Sequence, residues 1–309
     1  MAELGWLDLS KAYKTKITAV LDFLKPEGRV DELGIGIIRD SIADYLFPGV
    51  STIQTRAKYF YIVPYILQEY FKQKPAFRAK NSLEKFLENN EREIMYRLGE
   101  AYNHEDGHGV IGITKRRGES LARYPSTIYW NGLQKFKFID FNQYSFGAYL
   151  NAFKKVADDL KSNVVEGDDS VNDDSDAGHE NISGVRVKYK PNVGETSSLE
   201  LEPDEAEDFE YRIKNYQSES LLAELITNEK LYNLFRLDNS GKERFVKFAE
   251  AAIQEIKKEE LKEMICFAHD FSLVMSGAHI VYNQMIQEKI KSEYDFDEDW
   301  ELWKEKVNG

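Results

Sequence analysis

The sequence predicts a mainly α protein, a helical N-terminal domain followed by a C-terminal helical bundle. Apolar residues recur at helical spacing over most of the 309 residues, and Pro and Gly punctuate those runs at helix-length intervals. Only residues 185–190, Val-Arg-Val-Lys-Tyr-Lys, alternate with period two and suggest a short strand. With 42% hydrophobic residues the chain holds enough apolar side chain for a real core, which excludes a disordered polymer.

Taken in order, Ser10 is a candidate N-cap, and Tyr13, Ile17, Val20, Leu21 and Leu24 follow at helical spacing until Pro26 ends the run. A second helix is predicted over 31–47, with Leu33, Ile37, Ile38, Ser41, Ile42 and Tyr45 on one face and Pro48-Gly49 as its stop. The third, over 51–72, is apolar nearly all round from Tyr59 to Leu67, which means burial, and Pro64 predicts a kink. A fourth covers 82–102. Residues 103–118 form a glycine-rich loop, and helical patterns resume over 126–136 and 145–161. From Tyr211 onward the pattern is helical, closing with a long run over 241–292.

The formal net charge of −13 is unevenly spread: +4 over residues 1–161, −7 over 162–184 and −10 over 185–309. Residues 162–184 carry no base and no aromatic side chain, so they cannot bury enough apolar surface to offset their ordering entropy. With the acidic stretch that follows, this divides the chain into a helical domain at 1–161, a largely disordered acidic linker at 162–210 and a helical domain at 211–309. The total charge therefore excludes no nucleic-acid role, because the N-terminal part is mildly basic.

A single cysteine, Cys266, excludes an internal disulfide framework and a cysteine-based zinc site, and fits a reducing compartment. Met1-Ala2-Glu3-Leu4-Gly5-Trp6 lacks the basic and apolar regions of a signal peptide. No stretch reads as a membrane span, so a cytoplasmic setting with no membrane is expected. Phosphate-loop, zinc-protease, nucleophile-elbow and dinucleotide motifs are absent, and nothing calls for a cofactor. His104-Glu105-Asp106-Gly107-His108 has donors that suit zinc or manganese, yet no third ligand follows from its spacing, so it reads as a solvated turn and no metal is assigned.

Two constellations remain. On the last long helix His269, Ser272, Ser276, His279 and Asn283 fall on one narrow polar line, a candidate pocket wall or a packing seam. The stronger signal is basic. Lys115, Arg116 and Arg117 leave the glycine-rich loop, Arg123 follows, and Pro125-Ser126-Thr127-Ile128-Tyr129 with Leu133 resembles the helix-turn-helix core of winged-helix regulators. That resemblance places Ile128 and Leu133 inward and Ser126, Thr127, Tyr129, Asn131, Gln134 and Lys135 toward a groove, hydroxyl and amide groups near bases and cations on phosphates. Free N–H groups at Ser126 would suit a phosphate, whereas Gly132 weakens the helix. Gly49-Val50-Ser51-Thr52-Ile53-Gln54-Thr55-Arg56 resembles a repressor turn, offering Gln54, Arg56 and Lys58 to phosphate.

More widely, Leu4-Gly5-Trp6-Leu7-Asp8-Leu9-Ser10, Leu46-Phe47-Pro48-Gly49, Ser51-Thr52-Ile53-Gln54-Thr55-Arg56-Ala57, Pro125 to Leu133 and Met275-Ser276-Gly277-Ala278 resemble a family of bacterial domains of unknown function. The resemblance brings no catalytic residues. It implies the company of helicase and nuclease proteins in a phage-defence setting. The expectation is a DNA-binding, non-enzymatic component that takes duplex DNA. The alternatives are a protein-interaction scaffold with no nucleic-acid contact and an effector enzyme using His269 and His279.

Overall fold

The computed structural model describes residues 34–141, 145–154, 184–236, 244–290 and 296–308. The protein is mainly helical; among the described residues no strand forms, and the 185–190 segment contributes one isolated antiparallel bridge, Val185 to Ile139. In chain order the helices are α1 Ile35–Leu46, α2 Tyr59–Lys72, α3 Pro75–Lys80, α4 Leu83–Ala101, α5 Pro125–Lys135, α6 Pro203–Tyr216, α7 Leu221–Thr227, α8 Glu229–Arg236, α9 Arg244–Glu255, α10 Glu259–Ile290 and α11 Phe296–Asn308. Residues 146–154 are also helical. The helix predicted from Ser10 and the acidic stretch 162–183 lie outside the described residues.

Two compact units form: Pro48–Ser218, and one assembled from both chain ends, Met1–Phe47 with Glu219–Gly309. The two units therefore meet in the chain at 47/48 and at 218/219. The acidic stretch assigned to a linker up to 210 is partly structured. Glu202 and Glu205 form a reciprocal capping box, Pro203 occupies the first turn, and the charges of α6 hide a helix with an inward face.

In Pro48–Ser218 the centre is α2, buried over nearly its whole circumference as its composition requires. Phe60 is its hub, with ring centroids 4.9 Å from Tyr129, 5.4 Å from Phe136, 5.6 Å from Phe138 and 5.1 Å from Phe209. Edge-to-face and offset pairs of this kind add roughly 0.5–1.5 kcal/mol each beyond burial. A neighbouring aromatic group joins Trp130, Phe141, Tyr149 and Phe153, so helical residues 146–154 dock on α5 and α2. α4 starts at Ser82, whose side chain accepts from the Lys85 N–H, and packs its Leu83, Leu87, Ile94, Met95 and Leu98 face inward.

The other unit buries Ile42 and Leu46 of α1, Leu221 and Leu225 of α7, Leu231 of α8, Phe248, Ala249 and Ala252 of α9 and Leu261, Ile265 and Ala268 of α10 in one core. α11 lies along α10, where the Trp303 indole N–H donates to the Leu273 carbonyl at 2.8 Å. The long run predicted over 241–292 breaks at 256–258, between α9 and α10. By length and composition alone one α10 segment, Glu259–Gln287, could cross a bilayer, with a mean hydropathy of 1.4; this corrects the expectation that no such stretch exists.

Gly132 shows why the helix around it tolerates a poor helix former. The backbone of α5 crosses that of Gly49, a left-handed residue at φ 76° after Pro48. A Cβ on Gly132 would meet the Gly49 carbonyl oxygen and sit 2.5 Å from the Phe60 ring. Helix propensity alone predicts that Gly132→Ala stabilises; the crossing predicts the reverse, a loss of about 1–3 kcal/mol in denaturant unfolding. An alanine variant as stable as the parent would refute the close approach.

Candidate nucleic-acid interface

The segment Ser51–Lys58 precedes α2 and consists of turns rather than the helix start predicted for it. Its polar groups hold the unit together. The Thr55 and Arg56 N–H groups donate to the Tyr129 hydroxyl at 2.8 and 3.0 Å, and that hydroxyl donates back to the Arg56 carbonyl at 2.9 Å. Thr55 Oγ1 donates to Gly109 O at 2.6 Å, and Arg56 Nε to His108 O at 2.9 Å, pinning the glycine-rich loop. The Gln54 amide donates to Gly49 O at 3.1 Å. Lys58 is buried and ion-paired to Glu205 at 2.5 Å.

Three residues assigned to a nucleic-acid surface therefore belong to the interior. Lys58 serves Glu205, Tyr129 is wholly buried in the bracket just described, and Ser126 lies beneath the surface. At the start of α5 the Ser126 N–H donates to Glu91 Oε1 at 2.5 Å and its hydroxyl to Oε2 at 3.0 Å. The helix N-terminus expected to await a phosphate is already occupied by an internal carboxyl group. Gln54 and Gln134 are half-buried, the latter with its amide 3.4 Å from Phe141 O, and Lys135 is half-buried too. Ile128, expected inward, is half-exposed, whereas Leu133 is buried as expected.

No helix forms between α4 and α5, so residues 115–137 do not make a helix-turn-helix. What they do make is a basic surface. Residues 110–137 carry six Lys and Arg against one acid, Glu119. Lys115, Arg116, Arg117, Arg123, Thr127 and Asn131 are exposed, and Arg56 joins them from the bracket. Arg117 is spoken for, 2.6 Å from Glu93 with its guanidinium over the Tyr96 ring. Among the described residues the side chains of Lys115, Arg116 and Arg123 form no ion pair, although the Arg116 backbone N–H donates to Glu119 Oε2 at 3.3 Å. Arg92 of α4, which donates to Gly118 O, lines one shallow depression with Tyr96, Lys115, Arg116 and Glu119.

The polar line on α10 splits. His269 is half-buried, its Nδ1 3.1 Å from Asp270 and its Nε2 4.0 Å from Glu250, too long for a hydrogen bond. Ser272 and Asn283 are half-buried, and Ser276 and His279 are exposed. The glycine-loop imidazoles also part company: His104 Nδ1 sits 3.1 Å from Ile113 O, and His108 stacks on Tyr102. Among the described residues no group of three or more His, Cys, Asp or Glu is placed to hold a metal ion.

The helical fold and this surface define a mainly α protein whose α4–α5 loop presents the exposed cations Lys115, Arg116, Arg117 and Arg123. The chain belongs to a family of unknown function, DUF6361, whose model matches residues 1–292. No curated protein and no solved structure matches it.

Glu91 was missed by sequence reading, although it occupies the inward line of α4 four residues after Leu87 and three before Ile94. Burial pushes its carboxyl up from an ordinary 4.5 to about 8; the Ser126 N–H and hydroxyl pull it down, and nearby Glu88 adds to the rise. Between those two values the folded chain holds a proton that the unfolded chain releases. Stability is therefore predicted to fall as pH rises through that window, by up to about 1.4 kcal/mol per pH unit. Glu91→Gln keeps an acceptor for the N–H and removes the titration. Its melting temperature should change less between pH 6 and 9 and exceed the parent's at pH 9; an unaltered pH profile would contradict this role.

Proposed function

We propose that the Pro48–Ser218 unit binds duplex DNA, as a non-enzymatic component that presents a cationic face to the phosphate backbone. The observation that carries this reading is the set Lys115, Arg116 and Arg123: exposed, close in sequence and with side chains in no ion pair among the described residues, while Lys58, Arg117 and Arg212 are each paired. Unpaired surface cations release condensed counterions when they meet phosphate, and this drives binding without base readout. Exposed Thr127 and Asn131, one helical turn apart on α5, are the side chains left to touch base edges. In a cytoplasmic antiviral assembly, such a component would bring helicase or nuclease partners to DNA.

The test is a salt titration of duplex binding. Each phosphate contact steepens the slope of log K against log salt by about 0.9. The Lys115→Ala/Arg116→Ala/Arg123→Ala variant is predicted to lose about two to three units of slope and to bind at least tenfold more weakly at low salt. Equal, salt-insensitive binding by both proteins would leave the chain as a protein-interaction scaffold.

A further inference from the structure

A second group of cations lies on and beside α3. Residues 70–83 carry Lys72, Lys74, Arg78 and Lys80 and no acid. Lys74 and Lys80 are exposed, and Lys72 holds its Nζ 3.3 Å above the Tyr189 ring. Among the described residues none of the four side chains forms an ion pair. Glu69, the nearest acid before them in the chain, accepts the Tyr189 hydroxyl at 2.9 Å.

Arg78 is the unusual member. It is 9% exposed with its Nε shut off from solvent, and its guanidinium makes no hydrogen bond among the described residues. Burial pulls its pKa below the ordinary arginine range, with Tyr70 acting in the opposite sense. An arginine this deep is nearly always paired, because its five donors lose water and need acceptors in exchange. A phosphate supplies them, meeting the flat guanidinium with two parallel N–H···O bonds. Lys74, one turn earlier on the same side, adds a charge beside it.

α4 carries this group and the cationic loop along one side. Phe77 of α3 packs on Phe86 with ring centroids 6.1 Å apart. Glu93, seven residues further and within about 20° of the same line, holds Arg117 at 2.6 Å. The two points of attachment are therefore about 10 Å apart along α4, roughly three base-pair steps of a duplex. The acids of this stretch leave that side open. Glu84 and Glu88 lie about 160° round the helix from Phe86, Glu91 is buried against Ser126, and Glu93 is paired with Arg97 as well as Arg117.

We propose that Lys74, Arg78 and Lys80 form a second phosphate contact of the duplex-binding face, which continues from the cationic loop along α4 to α3. This rests on duplex binding by the loop. Salt titration with a duplex of about 20 base pairs tests both. Lys74→Ala/Lys80→Ala should lose about one to two units of slope and bind at least threefold more weakly at low salt. Arg78→Met should also bind at least threefold more weakly, yet melt no lower than the parent without DNA, because it removes a buried charge that has no partner. Parental slopes in both α3 variants, with the Lys115→Ala/Arg116→Ala/Arg123→Ala chain still losing slope, would overturn the α3 contact and leave the loop's role standing. A lowered melting temperature with unchanged binding in Arg78→Met would overturn it too, by making Arg78 structural. A parent chain without salt-dependent binding would overturn both.

Discussion

Lys58 and Glu205 meet where neither side chain reaches water, at 6% and 2% exposure, and the Pro48–Ser218 unit is arranged around that ion pair. A charge buried without its partner costs several kcal/mol, so the start of α2 and the start of α6 stay together or the pair is broken at that expense. Further groups complete the shell. The Tyr65 hydroxyl donates to Glu205 Oε1 at 3.1 Å, the Glu202 N–H donates to Oε2 at 2.9 Å, and the Tyr61 hydroxyl donates to the Glu205 carbonyl. Burial and the adjoining carboxylates push both tyrosine hydroxyls well above their ordinary range, so they remain donors at every physiological pH. Two turns along α6, Arg212 extends the tie. It pairs with Asp208 at 2.8 Å, donates to the carbonyls of Phe136, Lys137 and Arg186, and lies over the Phe138 ring.

That internal use of charge sorts the basic residues. Lys58 and Arg212 are spent on holding α6 to the aromatic core, and Arg56 partly on holding the glycine-rich loop. The loop is thereby fixed from beneath by Thr55, Arg56 and Tyr59, whose hydroxyl accepts the Ile111 N–H at 3.0 Å. Its outer side is free to carry cations. A rigid bracket under a loop that presents charge is the usual division of labour between scaffold and recognition surface.

Much of the helical order was legible because its signals are local. Ser82 before α4, Pro125 at the first turn of α5 and the all-apolar run of α2 each act within one or two turns. The exposed cations of 115–123 and the outward Thr127 and Asn131 were equally readable from composition and spacing. What was not legible is long-range. Ser51 to Arg56 offered hydroxyl, amide and guanidinium groups that read as recognition chemistry, and only the arrival of Tyr129 and Gly109 turned them into a clamp. Lys58 was read as a surface cation and Glu205 as part of an acidic linker because charge usually means surface, and Glu91 drew no reading at all. Each nevertheless stood beside or within an apolar line, which was the available signal. The union of the two chain ends in one unit left no local mark at all.

The central claim is that the buried Lys58–Glu205 pair couples α2 to α6. A double-mutant cycle of Lys58→Met and Glu205→Gln, followed by denaturant unfolding, measures that coupling directly. Each single variant should lose about 3–5 kcal/mol through the charge left unpaired, with the double variant far less destabilised than their sum and a coupling energy of about 2–4 kcal/mol. Additive losses, with a coupling energy under about 0.5 kcal/mol, would contradict the account.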